Sequence, residues 1–372
     1  MYHYLEGGAD DEWSLRRNTT AYDDYQLVPG YLRDISKLDL RTSVLGQTLA
    51  LPFFLAPTGA SRLFHHDREF AVCRAAEKAG TLYSLSTMAT TSLEDIAATG
   101  DGPKMFQVYI FRDRELTREF LERCSAARYD ALCLTVDTTI AGNRERDFYN
   151  GMSLPPRITA RNALSYATSF HWLFHFMRHP EFDLANVSHR SSALQGGALG
   201  LIEYVNSQFD RTVTWDDVVW LREQWDGPLV VKGLLSVDDV RQARDLGVNA
   251  VMVSNHGGRQ LDGTPAPVDC IPALRDAVGR DLELIVDGGI RRGTHIIKAL
   301  ALGADACSIG RPYLYGLAAG GEAGVLRALT ILRDEVERSL GLLGRNSVTE
   351  LGPDCIARLD QAVLSGVLSG NC

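Results

Sequence analysis

The chain has 372 residues, 45% of them hydrophobic and 23% charged, so it can bury a large core in one big α/β domain or two ordinary ones, and it is not a disordered chain. A formal charge of -9 and the lack of any long Lys/Arg run exclude a general nucleic-acid binder, so any anion must be caught by locally placed arginines. Seven scattered cysteines with no C-x-x-C pair, no apolar leader in the opening residues and no run of 18 apolar residues lead us to expect a cytoplasmic chain with free thiols, neither secreted nor membrane-spanning.

In chain order, eight short β-rich runs follow one another: LPFFLAP (51–57), TLYSLS (81–86), KMFQVYI (104–110), ALCLTVD (131–137), PLVVKG (228–233), AVMVSN (250–255), ELIVDGG (283–289) and ACSIGR (306–311). Most neighbours are separated by a few tens of residues, room for a crossover helix such as EFAVCRAAEKAG or SVDDVRQARDLG. Eight βα units in this rhythm predict a (β/α)8 TIM barrel, α/β in class, as one domain over residues 1–372 with its active site at the C-terminal ends of the strands. A doubly wound sheet is the alternative.

The rhythm breaks once, with a long insert over residues 138–228 after the fourth strand, and loops of that length are commonly functional. Within it, NALSYATSFHWLFHFMRHPEF places His171, His175 and His179 four apart on one helix face. That is metal-compatible spacing, but no carboxylate or cysteine completes a tidy ligand set and a polar helix face explains it more simply, so no metal is expected. The aromatic residues with a basic edge suit either a membrane interface, through residues 160–182, or burial against the barrel or a second subunit.

The residues that close the strands are Thr58, Ser86, Gln107 with Tyr109, Thr135 with Asp137, Lys232, Ser254 with His256, Asp287, and Gly310 with Arg311. Nearly all are polar, which reads as a ring of donors and acceptors around one mouth. The stretch SNHGGRQLDGT (254–264) sets His256, able to move a proton, beside Arg259, able to grip a carboxylate; a solvated turn is its plainer reading. Asp287-Gly288-Gly289 followed by Arg291, and then Gly310-Arg311, would offer glycine N–H groups and guanidiniums where barrels often hold a phosphate, unless these are ordinary glycine turns. With no G-x-G-x-x-G after the first strand and no G-x-x-x-x-G-K-[ST], the phosphate would belong to a mononucleotide cofactor.

The motifs SNHGGRQLD, VDGGIRRG, LGAD with IGRP, LAPTG, FQVY, LTVD and GNRERD are highly specific, and over Tyr4 to about residue 355 the chain resembles the FMN-dependent (S)-2-hydroxy acid oxidase and dehydrogenase family. The resemblance implies an FMN cofactor, and implies that His256 is the catalytic base with Asp137 orienting it. It further implies that Arg144 and Arg259 clamp the substrate carboxylate, supported by Tyr4, with Tyr109 at the reacting hydroxyl and Lys232 beside the flavin N1 and C2 carbonyl. Pro57, Thr58, Gly59, Ser86, Gln107, Thr135 and Ser254 would contact the isoalloxazine and ribityl chain. Asp287, Gly288, Gly289, Arg291, Gly310 and Arg311 would hold the phosphate end. The segment ahead of the clamp reads GNRERD, with Asn143 where the family often has an arginine, so Arg144 is assigned by register.

LAPTG and GNRERD are most similar to mandelate dehydrogenase and bacterial L-lactate dehydrogenases, and position 59 is glycine where glycolate oxidases usually have alanine. The aromatic insert resembles the membrane-binding segment of those dehydrogenases. A quinone-type acceptor and peripheral contact with the inner face of the membrane are therefore expected, against an oxygen-using oxidase that makes hydrogen peroxide. Met88 and Ala141 stand where glycolate oxidase has larger side chains, and Gly59 removes a methyl group, which favours a mandelate-like acid while leaving lactate open. A family-like flavoenzyme acting on a modified peptide and a non-catalytic FMN-binding protein are the further alternatives. The family often forms tetramers, so a homotetramer is expected.

Overall fold

A computed structural model describes residues 2–151, 172, 174, 177–178, 182–188 and 207–359. Eight parallel strands close a barrel in sequence order: β1 (Phe53–Thr58), β2 (Tyr83–Ser86), β3 (Lys104–Val108), β4 (Ala131–Thr135), β5 (Leu229–Leu234), β6 (Ala250–Ser254), β7 (Glu283–Asp287) and β8 (Ala306–Ile309), with β8 pairing back onto β1. All eight runs read from the sequence are strands, and the doubly wound alternative falls because the last strand pairs with the first.

The barrel is filled by the alternation that strand geometry imposes, since every second side chain points inward. Phe54, Met105, Cys133, Val230, Met252 and Ile285 form a buried apolar interior, plugged at the N-terminal end by Val44, Leu45 and Leu49 of the hairpin Thr42–Leu49. Two residues further along each strand the same inward parity brings Gln107, Thr135, Lys232, Ser254 and Asp287. The barrel is thus dry below and polar at its C-terminal mouth.

The opposite faces pack against helices. After the mouth helices α1 (Tyr2–Glu6) and α2 (Trp13–Thr20) come α3 (Arg68–Lys78), α4 (Leu93–Ala97) and α5 (Arg114–Ala126), then α6 (Glu145–Tyr149) and α7 (Trp215–Gln224) within the long insert. The series closes with α8 (Val237–Asp245), α9 (Pro267–Val278), α10 (Gly293–Ala301) and α11 (Arg311–Leu342). Several starts are fixed by the side chains the sequence offers: Asp113 accepts the N–H groups of Glu115 and Leu116 at the head of α5, and Thr214 and Asp217 form a capping box at the head of α7. The C-terminal part of the insert is therefore the ordinary crossover helix of the fourth unit, and the extra chain lies before it. His171, His175 and His179 lie outside the described residues, and no described helix is long and apolar enough to cross a membrane.

Candidate active site

A cavity of about 320 Å³ opens at the C-terminal mouth of the barrel, a size suited to a small-molecule ligand. Tyr4, Pro57, Thr58, Gly59, Ser86, Tyr109, Arg144, Lys232, His256, Arg259, Asp287, Gly288, Gly289, Arg291, Gly310 and Arg311 all line it. Of the residues picked from the sequence, Asp137, Gln107, Thr135 and Ser254 stand one layer behind this surface. Gln107 accepts from Ser86 at 2.8 Å and donates to Thr135 at 3.0 Å, and Ser254 donates to Asp287 at 2.7 Å, so they hold the lining rather than form it.

His256 follows β6 with φ +59, a left-handed backbone shared by Gly257 and Gly258; non-glycine residues seldom adopt it unless their surroundings enforce it. Gly257, at φ +64, suits this backbone, and a Cβ there would lie 2.8 Å from Arg311 Nη1 and displace that guanidinium. The turn sets His256 Nδ1 at 2.9 Å from Asp137 Oδ1. Burial pushes the Asp137 carboxyl up, but His256 and Lys232 outweigh it and hold the group below the ordinary carboxylate range. An ionised Asp137 can only accept, so Nδ1 carries a proton, and in the neutral ring this leaves the lone pair on Nε2. Asp137 Oδ2 is buried with no hydrogen-bond partner among the described residues, which leaves its charge to be balanced by His256 and Lys232.

Lys232, almost fully buried, donates to Ser254 at 3.0 Å and lies 3.3 Å from Asp287 Oδ2. Burial disfavours its charge, yet Asp287 and Asp137 raise its affinity for the proton above that of a free lysine, so it is a fixed cation at the cavity floor. Burial, reinforced by Asp137, lifts the Tyr109 phenol to about 12, and it stays a hydrogen-bond donor.

A second group of lining residues holds charge without an answer. Arg259 donates to the carbonyls of Tyr4 and Gly7, both at 2.8 Å, and Arg311 donates to those of Leu5, Gly257 and Gly7. Among the described residues neither they nor Arg291 forms an ion pair with a carboxylate. Burial and the neighbouring guanidiniums Arg259 and Arg291 push Arg311 down to about 9, and burial likewise lowers Arg259 and Arg291. Such a cluster is completed by anions. Arg144 and Arg259 also flank the Tyr4 ring, 5.8 and 5.1 Å from its centroid.

Part of the wall is apolar, from Phe64, Met88, Ala141, Phe182, Leu184 and Phe209. The sequence reading found Met88 and Ala141 but missed Phe64 and three residues further into the insert, Phe182, Leu184 and Phe209. Phe209 reaches the site through a bridge to Phe111 and stands edge-on to Tyr109, 5.2 Å between centroids; no local pattern signals a contact across a hundred residues. It also missed Ser308, which inward parity along β8 would have found. A methyl group on Gly59, which lines the cavity beside Met88, would sit 2.9 Å from Met88 Cβ and 3.2 Å from Met88 O. The glycine lets β1 approach the Met88 turn.

Set against known proteins, this geometry has close company. The pattern of the FMN-dependent dehydrogenases matches residues 1–358. The chain belongs to that family. It is therefore an FMN-dependent oxidoreductase acting on CH–OH groups. It is 41% identical to glycolate oxidase 1 of Zea mays, over 94% of this chain and 89% of the relative, and 39% identical to an L-lactate dehydrogenase of Xanthomonas campestris pv. campestris, over 96% and 93%. The crystal structure of a monotopic membrane protein, (S)-mandelate dehydrogenase, superposes with a TM-score of 0.92 at 36% identity, covering 96% of this chain and 94% of that one.

The residues present fit FMN. The buried arginines lack a counter-anion of the kind a phosphate supplies, glycines at 257, 288 and 289 leave the backbone bare, and the buried Ser308 hydroxyl on the cavity wall has no partner among the described residues.

Proposed function

We propose that this chain oxidises an (S)-2-hydroxy acid with an apolar side chain, mandelate-like or lactate, to the 2-oxo acid, and that a quinone-type acceptor takes the electrons. The observation that carries the reading is the meeting of two groups in one cavity: the His256–Asp137 pair, and the guanidiniums of Arg144 and Arg259, the first within 3.8 Å of Asp147 and the second without a carboxylate partner among the described residues.

FMN, when bound, would take up two electrons and one of the substrate's two departing hydrogens, net a hydride, and hand the electrons on. Gly288, Gly289, Arg291, Gly310 and Arg311 would hold its phosphate end, and Pro57, Thr58, Gly59 and Ser86 its ring and chain, with Lys232 supplying positive charge below. Arg259 and Arg144, with Tyr4 between them, would fix the substrate carboxylate, which orients the acid and restores the charge balance of the guanidinium pair. The Nε2 of His256 accepts the substrate's proton, and the resulting imidazolium is stabilised by Asp137 at 2.9 Å. Tyr109 donates to the reacting hydroxyl oxygen. Phe209, Phe182, Leu184, Met88 and Ala141 would receive the side chain, which favours aryl or aliphatic acids over glycolate.

The mandelate dehydrogenase likeness, with its membrane setting, supports a quinone acceptor and peripheral membrane contact through residues 160–182; Phe174 and Met177 there are exposed, at 56% and 64%. The glycolate oxidase relative supports the second reading, oxygen as acceptor. A homotetramer remains part of the proposal. The test is anaerobic bleaching of the flavin by (S)-mandelate, (S)-lactate and glycolate, followed by air and by a quinone analogue. Fast bleaching by the apolar acids and faster reoxidation by the quinone are expected. Bleaching by glycolate alone would refute the substrate class, and faster reoxidation by air would refute the acceptor.

A further inference from the structure

We propose that Asn18 is a positioning residue that locks the left-handed backbone of His256 and so sets where the imidazole points. The proposal rests on the reading of His256 as the base.

Asn18 lies in the last turns of α2 and is 2% exposed. Its Nδ2 donates to Asn255 Oδ1 at 2.7 Å and its Oδ1 accepts from Asn255 Nδ2 at 2.7 Å, a closed pair of amides buried between α2 and the end of β6. Asn255 immediately precedes His256, and its Oδ1 also accepts the N–H of Gly258 at 3.1 Å. The amide pair therefore brackets the three left-handed residues on both sides. No donor other than the Asn18 amide reaches that oxygen from α2.

A second grip on the same helix comes from the same loop. Glu12 at the head of α2 gives no side-chain cap; instead Asp262 accepts the N–H groups of Trp13 at 3.0 Å and Ser14 at 2.7 Å. Gly258 packs so closely that a Cβ on it would lie 2.5 Å from Leu15 N. On its far side α2 meets the other loop of the site, since a Cβ on Gly289 would lie 1.8 Å from Asn18 O. Helix α2 is thus a wedge between the His256 loop and the Gly289 loop. The amide pair is its only side-chain bond, among the described residues, to the residue next to His256. Other bonds also hold this turn, among them Ser254 Oγ on the His256 N–H and Arg311 on the Gly257 carbonyl, and removing the amide pair loosens the hold on the residue next to His256, so that the imidazole shifts from Asp137 and the substrate.

The test compares anaerobic flavin reduction rates in wild type, Asn18→Asp, His256→Gln and the double variant, each loaded with FMN. Asp keeps the shape of the side chain but sets a second acceptor against Asn255 Oδ1. Asn18→Asp alone is expected to slow reduction about ten- to a hundred-fold, the scale of an ångström of misplacement, with KM changed less than about threefold. Added to His256→Gln it should cause no further loss, because a residue acting through His256 has nothing left to act on. A wild-type rate in Asn18→Asp beside a crippled His256→Gln overturns the proposal alone. Losses that multiply in the double variant make Asn18 merely structural and overturn it too. A near-normal rate in His256→Gln overturns the base assignment and the proposal with it. Asn18→Ala, which removes the pair without adding charge, is measured in parallel. If neither variant folds and takes up FMN, the pair holds the fold rather than the base, and the proposal fails.

Discussion

Replacing Asp137 by Asn tests how much of the reaction depends on a charge rather than on a hydrogen bond. The amide has the same shape and its oxygen can still accept from His256 Nδ1, so the 2.9 Å contact survives while the carboxylate charge is lost. Two unit charges about 4 Å apart at an effective dielectric of about 20 attract by about 4 kcal/mol, a fair scale for charges spread over an imidazolium and a carboxylate in contact. Each 1.36 kcal/mol is a factor of ten, so the imidazolium formed on proton uptake loses about a thousandfold in stability. Part of that loss is felt in the transition state, and the rate of anaerobic flavin bleaching by the best acid is expected to fall about a hundred- to a thousand-fold. FMN affinity, set at the other end of the cavity, should hardly move. Stopped-flow bleaching with FMN titrated separately gives both numbers. A loss of less than tenfold would show that Asp137 merely aims the ring, and that its charge, held below the ordinary range by His256 and Lys232, is not used.

Gly59→Ala places a methyl 2.9 Å from Met88 Cβ and should cost about 1–3 kcal/mol of stability, seen as a lower Tm, with mandelate and lactate turnover reduced alike; selective loss of the larger acid would support the view that Gly59 makes room for substrate. Burial and the neighbouring guanidiniums push Arg311 down to about 9, and phosphate binds the charged form, so FMN affinity by fluorescence titration should hold below about pH 9 and weaken as pH rises through it; a flat profile to about pH 10.5 would refute that lowering as a control on phosphate binding. Phe174→Glu with Met177→Glu, at exposed positions, should reduce flotation with lipid vesicles and leave turnover with a soluble acceptor intact; unchanged flotation, or none in wild type, would refute membrane contact through this segment.

The architecture was legible because strand alternation and βα spacing are local. The eight runs, their order and the polar residue that ends each could be read directly, and inward parity explains why Gln107, Thr135, Lys232, Ser254 and Asp287 share one mouth. The stretch SNHGGRQLD by itself left a solvated turn open, and only its place in the whole set of family motifs pointed to His256 and Arg259 as site residues. Three things were decided only by the tertiary fold. The first is which residues touch the ligand space: closure of the barrel sets Gln107, Thr135 and Ser254 one hydrogen bond behind the surface. The second is the apolar wall, where Phe182, Leu184 and Phe209 arrive from a long insert that sequence spacing could bound but not aim. The third is the role of small and neutral residues. Gly59 reads as space until the Met88 turn is seen against it, and Asn18 reads as one polar residue in a short helix until its amide meets Asn255 across 237 positions. Chemistry-bearing residue types and their periodicity are written in the chain, whereas burial, contact and electrostatic coupling exist only once distant segments share a boundary.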